Sequence, residues 1–368
     1  MKALLFPGQG TQKIGMFAPF VSAFPIAQLV LDEIEDAVST KISNVVENGS
    51  NKELSRTDNA QLAIFALGAI CLNVLQKEYG LDLKQQFKYL AGHSLGEYTA
   101  LYASGVFNLR DASRIVRKRG EIMAKACNPN QNYLMTNIAE KMDITLQSLG
   151  AFTLNNESKS IRRCGKEVSE ACEDKQKYVM TAIVGKTNND KPLFEILENL
   201  VNSQSDQLGV CVIANDNSNT QIVLSGNMDT VKAMVMSITE KYPALKAINL
   251  NTSGAFHSPL MGKSAIELDK YLLSFKNRFN DPQIPIISNV TVTSIRDKDT
   301  ICDELVNQMV NKVRWRETID IIARDSDIAE IVELCPGHVL TGMIKRDYPN
   351  MSVISLETIS QIDDFMKR

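Results

Sequence analysis

The sequence predicts an α/β protein: a mainly parallel sheet flanked by helices, interrupted by a ferredoxin-like (α+β) subdomain. Three observations carry that reading. Short apolar runs alternate with helical stretches towards both ends of the chain, the order that builds a parallel sheet. Between about 178 and 250 the order becomes strand, helix, strand, strand, helix, strand, a split βαβ arrangement. The length of 368 residues exceeds one ordinary domain and accommodates both parts.

Each element has a local reason. Ala3-Leu4-Leu5-Phe6 is an apolar run stopped by Pro7-Gly8-Gln9-Gly10, a buried strand entering a tight loop. Over Pro25–Val38, residues Ile26, Leu29, Val30, Ile34 and Val38 recur at helical spacing, whereas 61–79 is apolar on all sides and reads as a buried helix. Residues 87–91 form the next strand, Gly92-His93-Ser94-Leu95-Gly96 follows it, and a helix starts near Glu97. In the middle, strands are expected at 178–184, 209–214, 221–224 and 245–250, with helices at 192–202 and 229–241. Beyond Pro282, short strands return at 284–288, 328–334 and 352–355.

The expected division is an α/β catalytic subdomain formed by 1–127 and 251–368, carrying Ser94 and His257, and a ferredoxin-like subdomain at 128–250. The latter begins with a polar insertion at about 128–176, rich in Asn, Ser, Lys and Glu, which reads as a solvated, partly disordered loop.

Composition excludes several classes. Forty basic residues face 43 acidic ones, a formal net charge of -3, so no global field draws the chain to nucleic acid. No apolar run approaches the ~18–20 residues that span a bilayer, and no membrane partner is expected. The first ten residues hold no secretory h-region. Seven scattered cysteines without CxxC spacing read as reduced thiols in a cytoplasmic protein. Histidine is scarce, with only His93, His257 and His338, and general-base or metal chemistry therefore has few owners.

Gly92-His93-Ser94-Leu95-Gly96 matches GxSxG in the context that gives the motif meaning, a strand before and a helix after. Ser94 is expected on a sharp strand-to-helix turn of an α/β-hydrolase-like core, with glycines where side chains would clash. The Leu95 amide, at the helix amino terminus, would face the oxygen that gains charge during acyl transfer. A serine nucleophile needs a base. His93 adjoins Ser94 and is expected to pack beside the turn. His257, in Phe256-His257-Ser258-Pro259, and His338, in Pro336-Gly337-His338, each follow a strand, and spacing alone leaves both open.

Six motifs occur in order: Phe6-Pro7-Gly8-Gln9-Gly10; Gly92-His93-Ser94-Leu95-Gly96-Glu97-Tyr98; Arg119-Gly120; Phe256-His257-Ser258-Pro259-Leu260-Met261; Gln308 with Val313-Arg314-Trp315; and Pro336-Gly337-His338-Val339-Leu340-Thr341-Gly342. The set resembles the malonyl-CoA:acyl carrier protein transacylases of dissociated bacterial fatty acid synthesis, and the acyltransferase domains of polyketide synthases. It covers nearly the whole chain apart from about 128–176.

The resemblance implies that Ser94 carries the acyl group and His257 is its base, oriented by the Gln308 main-chain carbonyl. It implies an oxyanion hole from the Gln9 and Leu95 amides. Arg119 matches the arginine that clamps the malonyl carboxylate, with a planar fork suited to that anion. Without the resemblance, Arg119 in the basic run 114–119 would read as part of a solvated helix face. Phe256 matches a bulky ring that leaves little room for an α-methyl, and Gln61 and Met123 are expected in the same pocket. His338 stands where the family usually has Lys and is expected to be structural.

The implied reaction is ping-pong malonyl transfer from malonyl-CoA to the phosphopantetheine thiol of acyl carrier protein, with no metal or redox cofactor. A stand-alone polyketide-type acyltransferase and a thioester hydrolase with the same serine elbow are the alternatives. A monomer is expected, with Arg117, Lys118, Lys345 and Arg346 as candidates for docking an acidic carrier. Departures from the family pattern are Asn215-Asp216-Asn217-Ser218-Asn219-Thr220 in place of a turn with Pro-Gly, Lys312 and Leu62 in place of Pro, and no glycine opening the strand at Tyr178.

Overall fold

The computed structural model describes residues 1–127, 178–187, 191–252 and 254–368. The insertion expected at 128–176 lies outside them. Ten strands are present among the described residues: β1 (Lys2–Phe6), β2 (Phe87–Gly92), β3 (Tyr178–Val184), β4 (Cys211–Ser218), β5 (Gln221–Asn227), β6 (Lys246–Asn249), β7 (Ile286–Ile287), β8 (Ser294–Ile295), β9 (Glu330–Leu334) and β10 (Val353–Leu356). They form two sheets, one in each of two compact units.

The first unit comprises Met1–Ile122, Leu268–Glu304 and Val313–Arg368. Its six strands run in the spatial order β10-β9-β1-β2-β7-β8, all neighbours parallel except β7 and β8. Leu4 of β1 sits between Leu90 of β2 and Val332 of β9. A parallel strand covered on both faces must be apolar throughout, and Ala3 to Phe6 are all buried. The helix Trp315–Arg324 turns Trp315, Thr318, Ile319 and Ile322 inward, one stripe at 3.6-residue spacing. Three of these pack in one cluster with Ala3, Leu5, Ala91 and Ile331 of the sheet.

The helix Thr57–Lys77 is long and apolar enough to cross a bilayer, against the expectation of no such segment, but 94% of its most apolar window is buried inside the protein. Its polar residues break the apolar run in the sequence. Here it is a core helix. The expected strand at 284–288 is reduced to Ile286–Ile287, and the short antiparallel edge β8 has no counterpart in the sequence reading.

The second unit comprises Met123–Glu267 and Leu305–Lys312. Its strands lie in the order β4-β5-β3-β6, every pair antiparallel, with helices Leu193–Leu208 and Met228–Lys241 making the crossovers. This is the split βαβ topology. Its core includes Ile183, Leu197, Ile222, Leu224, Val231 and Ile238.

Several details differ from the sequence reading. β4 continues to Ser218, because Asn215, Asp216, Asn217 and Ser218 are buried in the ladder rather than turning out to solvent. Two register shifts, between Ile213 and Asn215 and between Asp216 and Ser218, accommodate them. Lys312, where the family pattern has Pro, places its ammonium 3.4 Å from the centroid of the Phe194 ring. The division also falls elsewhere than at 250: residues up to Glu267, and the segment Leu305–Lys312, belong to the second unit. His257 and Gln308 therefore lie there and not with Ser94. No strand pattern marks 251–267, so element counting could not find that boundary. Finally, the Cys71 and Cys335 side chains meet, with Cα atoms 7.3 Å apart, wider than an ordinary disulfide spans. Only the fold brings these two together, across a sequence separation of 264.

Candidate active site

Ser94 ends the turn between β2 and the helix Leu95–Ala103, at φ 52° and ψ −103°, a backbone conformation that a side-chain-bearing residue adopts only under constraint. The turn is crowded. A Cβ on Gly92 would lie 1.9 Å from the Gly96 carbonyl carbon, and one on Gly96 would lie 2.1 Å from the Phe6 oxygen. Glycine is obligatory at both places, as the sequence reading supposed. The β1 loop lies against the same turn: the His93 N–H donates to the Phe6 carbonyl at 3.0 Å.

Gln9 follows in that loop, its side chain 3.5 Å from Thr57 Oγ1. Leu95 opens the helix, so its N–H is among the amides that no helical carbonyl accepts. His93 packs edge-on against the buried Trp315, ring centroids 5.4 Å apart, which is the packing role expected of it.

Arg119 is fully buried. Its Nη2 donates to Ser94 Oγ at 3.1 Å and its Nη1 to Gln61 Oε1 at 2.8 Å. The guanidinium carbon lies 5.0 Å from the Tyr98 ring centroid. Burial lowers the Arg119 pKa, while Tyr98 and Glu97 act in the opposite direction. A guanidinium keeps its charge under such opposing influences, so a cation stands one hydrogen bond from the serine. The same burial pushes the Tyr98 phenol up to about 12. Arg119 is thus not a member of a solvated basic face.

Neither is its neighbour Arg117, which pairs with Glu121 at 2.9 Å and Asp58 at 3.7 Å. Met123, four residues beyond Arg119 on the same helix, is also buried. Of the residues suggested for carrier docking, Lys345 and Arg346 are exposed.

In the second unit, His257 is buried at φ 54°, with Nδ1 2.8 Å from the Gln308 carbonyl oxygen. A carbonyl can only accept, so Nδ1 carries the proton and Nε2 the lone pair, the tautomer of a general base. Gln308 sits fully buried on the helix Ile301–Val310. Phe256 is buried beside His257, and its ring lies so close to Gly254 that a Cβ there would meet it at 2.4 Å. His338, the other open candidate, has an exposed side chain with Nδ1 3.3 Å from Glu357.

One residue at the elbow escaped the sequence reading. Asn289 is buried, accepts the Ser94 N–H at 2.7 Å on Oδ1, and donates from Nδ2 to the Gly92 carbonyl at 2.7 Å. It lies 195 residues beyond the serine, in a Ser-Asn-Val-Thr loop that reads locally as a turn. The short apolar run ending at Ser288 was the available signal: it becomes β7, which pairs parallel with β2 and so brings Asn289 to the end of that strand.

A serine on a strained elbow of the α/β sheet and, in the second unit, a histidine whose Nδ1 faces a carbonyl are each of the kind that acyl transfer through a covalent ester employs. Comparison with known proteins sharpens the class. The acyl transferase domain family matches residues 3–167. The malonyl CoA-acyl carrier protein transacylase of Synechocystis is 30% identical over 98% of this chain and 98% of its own length. That of Bacillus subtilis is 29% identical over 98% and 95% respectively.

Among solved structures, the acyl-carrier-protein S-malonyltransferase of Bartonella henselae superposes with a TM-score of 0.79 and 31% identity, covering 100% of this chain and 99% of that one. A malonyl-transacylase solved in complex with a type II polyketide-synthase acyl-carrier protein gives 0.79 and 26%, covering 99% and 98%. The chain belongs to the malonyl CoA-acyl carrier protein transacylase family.

Proposed function

We propose that this chain moves a malonyl group from malonyl-CoA to the phosphopantetheine thiol of acyl carrier protein through an ester on Ser94. The observation that carries this reading is the buried Arg119 guanidinium, bonded at once to Ser94 Oγ and Gln61. A buried cation beside a nucleophile favours an acyl group with its own negative charge, and malonyl ends in a carboxylate. The relatives named above, one of them solved with a carrier protein, support the same substrates.

The steps balance without a metal or redox cofactor. His257 Nε2 takes the Ser94 hydroxyl proton as Oγ attacks the thioester carbon. The Gln9 and Leu95 N–H groups receive the oxyanion, in the manner that commonly supplies ~3–4 kcal/mol per donor. The intermediate collapses with loss of the coenzyme A thiolate, which His257 reprotonates. The carrier thiol then gives its proton to His257 and attacks the ester, and Ser94 recovers its proton. Phe256 and Met123 are assigned to the acyl pocket, and Lys345 and Arg346 to carrier docking. The reading draws on one chain only, so a monomer suffices. A cytoplasmic setting suits both thioesters.

Intact-mass measurement after mixing with malonyl-CoA tests the proposal. The wild-type chain gains one malonyl increment that added carrier protein removes, and Ser94→Ala gains none. Release of free malonate at the same rate with and without carrier identifies a hydrolase instead. An unchanged adduct in Ser94→Ala overturns the assignment of the nucleophile.

A further inference from the structure

Ser94 has a sparsely populated backbone conformation, and two of the hydrogen bonds about its turn come from a distant loop. Asn289 supplies a matched pair: its oxygen accepts the Ser94 N–H and its nitrogen donates to the Gly92 carbonyl, each at 2.7 Å. Because one partner can only donate and the other only accept, a single orientation of the carboxamide fits. Asn289 is itself anchored at the main chain. Its N–H donates to Glu97 Oε1 at 3.2 Å, and its carbonyl accepts the Arg314 N–H at 2.9 Å. Glu97 stands in the first turn of the helix that Ser94 starts, so the brace closes on the element it supports.

The loop around Asn289 is fixed in turn. Ser288 Oγ accepts the N–H groups of Val290 and Thr291, both at 3.1 Å, and donates to Glu304. The Arg314 guanidinium donates to the Val290 carbonyl at 3.1 Å. A side chain locked by packing and by a surrounding shell of hydrogen bonds is what a positioning role requires.

We infer that Asn289 is a positioning residue for acyl transfer, its carboxamide bridging Gly92 and Ser94 so that Ser94 Oγ and the Leu95 N–H keep one fixed relation. The inference rests on Ser94 being the nucleophile. Asn289 touches no reacting atom. It acts through the backbone on either side of His93, and its effect belongs to the chemical step rather than to substrate binding.

Two variants test this by single-turnover acylation and steady-state kinetics. Asn289→Ala removes both bonds, and kcat and the acylation rate should fall about a hundredfold, as for a reacting group displaced by about 1 Å. KM for malonyl-CoA should stay within about threefold, since binding contacts are untouched. Asn289→Asp keeps the shape and the acceptor for Ser94 but loses the donor to Gly92 while ionised, so it covers the case in which the alanine variant does not fold. His93, Glu97, Tyr98, Asp303, Glu304, Arg314 and Glu317 are ionisable residues on the segments that bond this loop, and all are present in the wild type. The ratio of variant to wild-type rate should therefore rise as pH falls and the protonated carboxyl regains a donor.

A wild-type acylation rate in Asn289→Ala, or a ratio in Asn289→Asp that falls as pH falls, overturns the positioning role. Absence of any Ser94 ester in the wild-type control would show instead that the underlying reading had failed.

Discussion

Arg119 shows how much a single residue's surroundings decide. In the sequence it closes a run containing Arg114, Arg117 and Lys118, and amphipathic spacing gives no reason to set it apart from them. The fold separates them, burying Arg119 against Gln61, Tyr98 and Ser94 while Arg117 pairs with Glu121. Burying a cation is costly unless polar partners compensate, and under the proposed function the fully buried Arg119 is directed at the substrate carboxylate. Replacing it should accordingly discriminate between acyl groups. Arg119→Ala is expected to lower kcat/KM for malonyl transfer about a hundredfold, roughly 3 kcal/mol, while acetyl transfer is kept or raised. Transfer assays with the two acyl-CoAs in parallel check this, and an equal loss of both would count against a carboxylate clamp. Ser94 was legible because its motif is contiguous, whereas Asn289 was not, since its partners are 195 and 197 residues away.

At the level of elements, the elbow is a contact between three segments: β1 with its loop, β2, and the helix Leu95–Ala103. Gly96 is where they come closest, with the Phe6 carbonyl in the place a side chain would need. The obstacle is backbone in the middle of a parallel sheet, which cannot step aside as a surface side chain could. Gly96→Ala should therefore cost about 3 kcal/mol or more, at the upper end of overpacking, and abolish acylation. Thermal melting and the adduct measurement would show it, and a wild-type melting temperature would mean that the segments separate more easily than the close approach suggests. The strands and helices around the elbow were legible because their apolar periods are strong. β8 and the buried polar end of β4 were not. A two-residue strand has no period, and Asn, Asp and Ser are turn residues until a partner strand satisfies them.

Over the whole molecule, each compact unit has a core of its own. Leu224 lies at 0% exposure within the second. Leu224→Ala should remove about 2–5 kcal/mol there. Hydrogen exchange should accelerate along β3–β6 while β1, β2 and β9 keep their protection, as cooperative sub-global units open separately. Uniform acceleration in both sheets would show one cooperative unit instead. The mainly parallel character of the first sheet and the split βαβ order of the second unit were legible from element order, but the strand order of the first sheet and the allocation of 251–267 were not, because packing alone decides them.

The spatial order of the first sheet has a temporal side. β1 is made long before β9, which is one of its two neighbours, with Lys2 opposite Glu330. At about 5–20 residues added per second, the nascent chain must carry that open edge for some tens of seconds before its partner exists. An unpaired apolar strand edge is a template for the wrong partner. The order of the strands thus leaves that edge of β1 without its partner until the last part of the first unit has been made.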